Sequence, residues 1–233
     1  MSGAFRPLRV WSRNQRIIHW VVAGTVLLLI PLGALIFSAA FLGLPEAGED
    51  AVIDLHGAIG VVFAIGAASR LLYLFIGPPE SLWRDTIPHT KAQWALGAAT
   101  VKYYLSGFKG KAPLYFSHNP LAGIYDTVLF LAMTTQAISG MAMFLLHVEG
   151  EGSVALANGL GTSAHDEAHG PEWLLVVHVI GAVVIIGFVV SHFAALALHD
   201  IFERRGLVSS MISGNKFFDE DEIKELGRRN SEP

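Results

Sequence analysis

Four apolar runs, at about residues 17–41, 53–76, 121–146 and 173–199, leave this chain few folds to choose from. The hydrocarbon core of a bilayer, about 30 Å thick, is crossed by roughly 20 helical residues, and each run is at least that long. Inside hydrocarbon every backbone N–H and C=O must find its partner within the protein, which for such runs means α-helix. The expected fold is therefore all-α: an integral membrane four-helix bundle, one transmembrane domain over residues 1–233. Composition agrees, with 52% hydrophobic and 15% charged residues and a mean hydropathy of +0.48, where a soluble domain carries about 25% charged residues. The first run follows Arg6, Arg9, Arg13 and Arg16. It exceeds a signal-peptide core and lacks a clear small-residue cleavage site, so it reads as a span.

Charge placement predicts an orientation. The 16 Lys and Arg residues precede the first run, lie at the far end of the second (Arg70), fall within residues 77–120, or follow the fourth run. The connections 42–52 and 147–172 contain none of them, yet hold Glu46, Glu49, Asp50, Glu149, Glu151, Asp166, Glu167 and Glu172. Basic residues accumulate in cytoplasmic loops, so both termini are expected in the cytoplasm and the outer face is acidic. The setting is a multi-pass protein of the inner (cytoplasmic) membrane. Within the basic connection, Lys91–Phe108 mixes Trp94, Leu96, Val101, Tyr103, Tyr104 and Leu105 with Lys91 and Lys102. That pattern predicts an amphipathic helix lying in the cytoplasmic-side interface. Trp11, in the basic arm before the first run, suits the membrane interface, and the tail after His199 reads as polar and cytoplasmic.

Cysteine is absent, which excludes disulfides, thiolate-held iron–sulfur clusters and covalent Cys-x-x-Cys-His haem attachment within this chain. Four spans with short connections leave no room for a separate catalytic domain. The chain reads as one part of a larger assembly, surrounded by lipid, with nothing that points to nucleic acid.

His178 and His192 stand fourteen residues apart in the fourth run. On a helix that spacing is about 21 Å along the axis and returns nearly to the same face. Ionisable groups at such depth are costly and generally functional, and neutral imidazole is a common haem-iron ligand. His56, near the start of the second run, shares the outer depth of His178; His19, near the start of the first, shares the cytoplasmic depth of His192. Two bis-histidine haem sites follow, the outer iron between His56 and His178 and the inner between His19 and His192. Gly57, Gly60, Gly181 and Gly187 lie near the ligand positions, where a flat macrocycle needs small residues, although membrane glycines also serve plain helix packing.

Electrons carried by two haems need an exchange partner at each end. His118-Asn119 precedes the third run at the depth of the inner haem, where an imidazole and an amide are able to hydrogen-bond quinone carbonyls. Asp126 is a candidate proton donor to that quinone. The alternatives are that Asn119 caps the third spanning helix, and that Asp126 pairs with Arg70. Arg70 is also a candidate contact for a haem propionate. His89, His147, His165, His169 and His199 read as surface or interface residues, with His147 and His169 as substitute outer ligands or a metal pair.

The specific segments are the fourteen-residue histidine spacing and His118-Asn119-Pro120-Leu121-Ala122. With them stand Arg16-Ile-Ile-His19-Trp20, His56 followed by Ser69-Arg70-Leu-Leu-Tyr73, Ser139-Gly140-Met-Ala-Met-Phe144, Asp200-Ile201 and Val208-Ser-Ser-Met-Ile-Ser-Gly214. In these the chain resembles the cytochrome b subunits of membrane-bound nickel–iron hydrogenases, whose four-helix core is similar to that of formate dehydrogenase gamma subunits. The resemblance implies two b haems on His19, His56, His178 and His192, and a quinone site near the inner haem. It also implies outer-face iron–sulfur-containing catalytic subunits, a nickel–iron hydrogenase, as electron donor. The segment Thr162–Trp173 is only loosely similar to the family pattern. A c-type cytochrome or a molybdenum enzyme is the alternative donor, and a stand-alone ferric reductase or superoxide oxidase the alternative role.

Overall fold

The computed structural model describes residues 5–159, 171–203 and 206–231. In chain order they form β1 (Arg6–Arg9), α1 (Arg13–Phe37), α2 (Ala39–Leu42), α3 (Glu46–Ile76), a 3₁₀ turn at Pro79–Ser81, and α4 (Trp83–Thr86). There follow α5 (Lys91–Leu105), α6 (Pro120–Gly159), α7 (Glu172–Phe202), α8 (Leu207–Ser213), β2 (Asn215–Phe218) and α9 (Glu220–Ser231). Among the described residues, Arg13–Phe37, Glu46–Ile76, Pro120–Glu149 and Glu172–Phe202 are long and apolar enough to cross a membrane. Ile65, Leu131, Ile138 and Val183 stand largely exposed on them, which suits contact with lipid and would be costly in water.

Helix ends depart from the apolar runs for local reasons. α3 begins seven residues early because Glu46 and Glu49 lie in its first turn, where carboxylates complement the positive end of the helix dipole. α5 opens with a capping box: Gln93 N–H donates to Thr90 Oγ1 at 3.2 Å, and Thr90 N–H donates to Gln93 Oε1 at 3.0 Å. It stops at Leu105 rather than Phe108 because Gly107 (φ 70°) and Phe108 (φ 62°) turn left-handed. α6 continues beyond the apolar stretch to Gly159, carrying His147 within the helix rather than in a loop.

The chain divides into two compact units, each assembled from separate stretches. The first comprises residues 1–19, 69–130 and 188–233. It contains what a purely helical reading does not anticipate, an antiparallel pair of β1 and β2 with Arg6 opposite Phe218 and Arg9 opposite Asn215. Gly214 (φ 90°) lets the chain turn into β2, and its carbonyl accepts from Val10 N at 2.8 Å and Trp11 N at 3.0 Å. Val10, Trp11, Leu114 and Phe218 form a small core on which Met211, Ile223 and Leu226 pack. Trp11 is thus corrected from an interfacial anchor to a core residue, 4% exposed, whose indole donates to Ser210 Oγ at 3.1 Å. The polar tail is helical too: Asp219 and Glu222 cap α9 reciprocally at 2.8 and 3.1 Å.

The second unit comprises residues 20–68 and 131–187. Its helices meet through small residues. A Cβ on Gly66 would lie 3.1 Å from Val21 and Val22 methyls, one on Gly57 would run into the Phe144 ring, and one on Gly181 would lie 2.5 Å from Gln136 Oε1. Without water to expel, membrane helices associate by such close packing.

Candidate functional site

In the second unit α3 and α7 bring His56 and His178 together, with ring centroids 6.3 Å apart and planes inclined at 71°. Both rings are half-buried. His178 is held in one tautomer: Ser139 Oγ donates to Thr135 O at 2.7 Å, so it accepts from Nδ1–H of His178 at 3.0 Å. His178 Nε2 must then carry a lone pair, and the Gln136 amide donates to it at 2.8 Å. His56 Nδ1 is buried without a hydrogen-bond partner. Glycines set both rings: a Cβ on Gly33 would lie 3.3 Å from His56 Cε1, and one on Gly140 would lie 2.9 Å from His178 Cε1.

These residues fit a bis-histidine haem. An imidazole nitrogen bonds a transition metal at about 2 Å, so two rings on opposite sides of one iron have centroids about 6 Å apart. The two rings match that separation, the lone pair of His178 Nε2 would pass from the Gln136 amide to the iron, and its other nitrogen has the outer-shell hydrogen bond that orients metal-bound imidazoles.

In the first unit α1, α3, α6 and α7 contribute His19, Arg70, Asp126 and His192. His19 is within electrostatic reach of His192 and Arg70, and Asp126 within reach of His118, Arg70 and His192. His192 stacks on Phe188 at 5.5 Å and 14° and meets Phe193 edge-on. Arg70 is 8% exposed; its guanidinium donates to Ser81 O at 3.4 Å and lies 4.9 Å over the Phe130 ring. It is locked into the turn after α3, where Ser81 Oγ also donates to Gln15 Oε1 at 3.0 Å.

The segment before α6 is densely bonded. Asp85 Oδ2 accepts from Ser117 Oγ at 2.5 Å and lies 2.7 Å from His118 Nδ1, while Trp11 meets the His118 ring edge-on at 5.0 Å. Lys216, 2% exposed, donates from Nζ to the carbonyls of Ser117 at 2.5 Å and Phe116 at 3.2 Å and faces the Trp11 and Tyr115 rings. Asn119 Oδ1 accepts from Leu121 N at 3.0 Å, which caps α6. Its amide nitrogen donates to Tyr104 Oη at 3.1 Å. Tyr104 Oη lies 2.8 Å from His199 Nε2, and burial together with the Glu203 carboxylate pushes its phenol up to about 12.

Residues 10–214 match the model of the prokaryotic cytochrome b561 family. The chain belongs to the prokaryotic cytochrome b561 family. It is 29% identical to a probable Ni/Fe-hydrogenase B-type cytochrome subunit of Rhodobacter capsulatus, over 94% of this chain and 82% of that protein. It is 30% identical to proteins of the same description from Bradyrhizobium diazoefficiens, over 90% of this chain and 85% of the relative, and from Azotobacter chroococcum, over 92% and 88%. No solved structure matches the chain. Membership of the cytochrome b561 family makes this a membrane b-type cytochrome with a haem electron-transfer role.

Against that family background the remaining histidines sort by surroundings. His89 Nδ1 bonds Ile87 O at 3.1 Å, and His147 Nε2 lies 3.5 Å from Asp54 Oδ1. His165 and His169 lie outside the described residues. Among the described residues no group of three His, Cys, Asp or Glu is placed to hold a separate metal ion. His199, read from sequence as a surface residue, has a side chain only 11% exposed. Ser139, Gln136, Tyr104, Asp85, Glu203 and Lys216 entered no sequence-based list of site residues. Common polar residues at unremarkable spacings, they carry no signal until the fold brings their partners to them.

Proposed function

We propose that the chain is the membrane-anchoring dihaem subunit of a larger oxidoreductase, one transmembrane domain over residues 1–233, which carries electrons from an outer-face partner to quinone near the cytoplasm. His56 and His178 would hold the outer haem iron and His19 and His192 the inner one, with Arg70 a contact for an inner-haem propionate. Haem, when bound, supplies reversible one-electron chemistry. The chain's own residues orient the imidazoles, exclude water and manage protons. The observation that carries the reading is the facing of His56 and His178 at 6.3 Å, with His178 held in the tautomer that leaves Nε2 a lone pair.

His118 and Asn119 are the proposed quinone contacts and Asp126 a proton donor beside them. Asn119 caps α6 and still has amide hydrogen to offer, so the two roles are compatible. The relatives named as Ni/Fe-hydrogenase subunits support a nickel–iron hydrogenase as the donor, and its iron–sulfur clusters are part of the proposal. The distribution of Lys and Arg supports cytoplasmic termini in the inner membrane, with α5 lying in the cytoplasmic-side interface. Quinone reduction on that side takes protons from the cytoplasm and so separates charge across the membrane.

A reduced-minus-oxidised visible spectrum of the purified chain, with a pyridine haemochrome count, tests the proposal. Two b haems per chain are expected; none, in folded protein supplied with haem, overturns it. Co-purification with iron–sulfur catalytic subunits tests the donor.

A further inference from the structure

Asn119 is the near end of a line of polar groups that the electron-transfer role does not itself require. From its amide the line runs to Tyr104 Oη at 3.1 Å and on to His199 Nε2 at 2.8 Å. His199 Nδ1 then stands 2.9 Å from Glu203 Oε1, an ion-pair approach whose angle is not that of a hydrogen bond. A small rotation of the imidazole closes that last link. The Glu203 side chain is 2% exposed and sits one residue beyond α7. Burying a carboxylate, an imidazole, a phenol and an amide in series is expensive unless each satisfies the next.

The walls of the line are aromatic. Phe108 stacks on Phe202 at 4.4 Å and 8° and packs against Tyr103 and Tyr104 at 5.4 and 5.3 Å. Phe108 reaches this position with φ at 62°, a region a bulky side chain enters only at a cost.

We propose that Glu203, His199 and Tyr104 form a proton relay that delivers to a quinone carbonyl held beside Asn119. This rests on the quinone site proposed above. At rest the donors all point away from the quinone position: Asn119 N–H to Tyr104 oxygen, Tyr104 O–H to His199 Nε2, and His199 Nδ1–H toward the Glu203 carboxylate. When Glu203 takes up a proton, the imidazole rotates and exchanges with it, Nε2 taking the carboxyl proton and Nδ1 returning its own. The order is then reversed: carboxyl O–H to a bare Nδ1, Nε2–H to Tyr104 oxygen, and phenol O–H to the quinone carbonyl. The carboxyl O–H breaks as N–H forms at His199 Nδ1; Nε2–H breaks as O–H forms on Tyr104; and the phenol's original proton bonds to the quinone oxygen. The transfer leaves the Nδ1–H tautomer beside an ionised Glu203, which is the resting state. One passage protonates the carbonyl beside Asn119; with the second proton from Asp126 and two electrons arriving through the haems, the quinone becomes its hydroquinone. The charged and titratable groups facing the phenol are Glu203, His199 and Tyr103, and the carboxylate's charge keeps the phenol protonated. Tyr104 therefore gives and takes a proton in one motion, without standing as a phenolate.

The test is stopped-flow oxidation of the reduced, haem-loaded full chain by a short-chain benzoquinone, with a naphthoquinone in parallel, across pH and in D₂O. Tyr104→Phe and Glu203→Gln are expected to keep both haem spectra. Their quinone reaction is expected to slow by roughly 10²-fold, within the range that positioned acid–base groups contribute, with a steeper fall at alkaline pH and a larger solvent isotope effect. In His199→Gly, added imidazole is expected to restore much of the rate. Wild-type rates and pH profiles in Tyr104→Phe and Glu203→Gln overturn the relay while leaving the quinone site standing. Slowed rates with unchanged pH and isotope dependence also overturn it, assigning the line to holding α5 against α7. Failure of the wild-type chain to react with either quinone brings down the quinone site and the relay together.

Discussion

The unit that holds His56 and His178 and the unit that holds His19 and His192 give their imidazoles different surroundings. Beside the first pair, Ser139 and Gln136 are bonded directly to a ring nitrogen of His178, and small residues and Phe144 fill the space between helices. Around the second stand Arg70 and Asp126, with the bonded groups Asp85, His118, Asn119, Tyr104, His199 and Glu203 in the same unit. Polar groups in a membrane protein cost stability unless they are satisfied or used. Under the proposed function, the His56 unit orients haem ligands, whereas the His192 unit also holds the groups proposed to handle protons.

Replacing a ligand is the most severe way to break this comparison. His178→Ala is expected to take the haemochrome count from two to one per chain and to spare the inner-site spectrum, and His192→Ala the reverse. Either variant keeping two bis-histidine haems would undo the pairing. Next in size is Lys216→Ala, which strands two carbonyls and removes a cation from two aromatic faces, at a cost of roughly 3 kcal/mol. Thermal unfolding in detergent measures it, and haem retention at His56 and His178 tells whether the damage stays within one unit.

Ser139→Ala sharpens the other side of the comparison. Loss of an outer-shell hydrogen bond to a metal-bound histidine typically costs about 10- to 100-fold in affinity; haem titration should find that loss at the outer site alone. Asn119→Ala is expected to lose about 1 kcal/mol of helix capping and to slow quinone reduction with both haem spectra intact. Unchanged kinetics would leave Asn119 with capping alone.

The smallest effect lies at high pH. Because the Tyr104 phenol is raised to about 12, the unfolded chain loses that proton first as pH rises. The contribution of Tyr104 to stability is then whole below the ordinary tyrosine value of about 10 and fades between there and 12. Tyr104→Phe should flatten that alkaline limb in pH-dependent unfolding, and an unchanged limb would place the phenol in a wetter setting.

Much of this was legible before the fold. The four candidate spanning helices follow from apolar length, and the approach of His56 to His178 was expected from their matching depth on the second and fourth runs. The helix-start role of Asn119 was one of two sequence readings, and the structure adds its bond to Tyr104. What stayed hidden has two physical causes. The β1–β2 pair joins four-residue strands from opposite ends of the chain, too short and too distant to leave a periodic signal, and it carries Trp11 into a core instead of an interface. His199 looked like a surface residue because its partner Tyr104 lies 95 positions away.

The sequence by itself determined the class of molecule: membrane-spanning helices with imidazoles at two depths, since hydropathy and helical period act over neighbouring residues and are written locally. Only the tertiary structure decided which polar side chains became partners. Tyr104 with His199, Lys216 with the Ser117 carbonyl and Ser139 with His178 are separated by 95, 99 and 39 positions. Contacts across such distances are chosen by packing, where the cost of an unsatisfied buried group selects the partner, and no local pattern carries that choice.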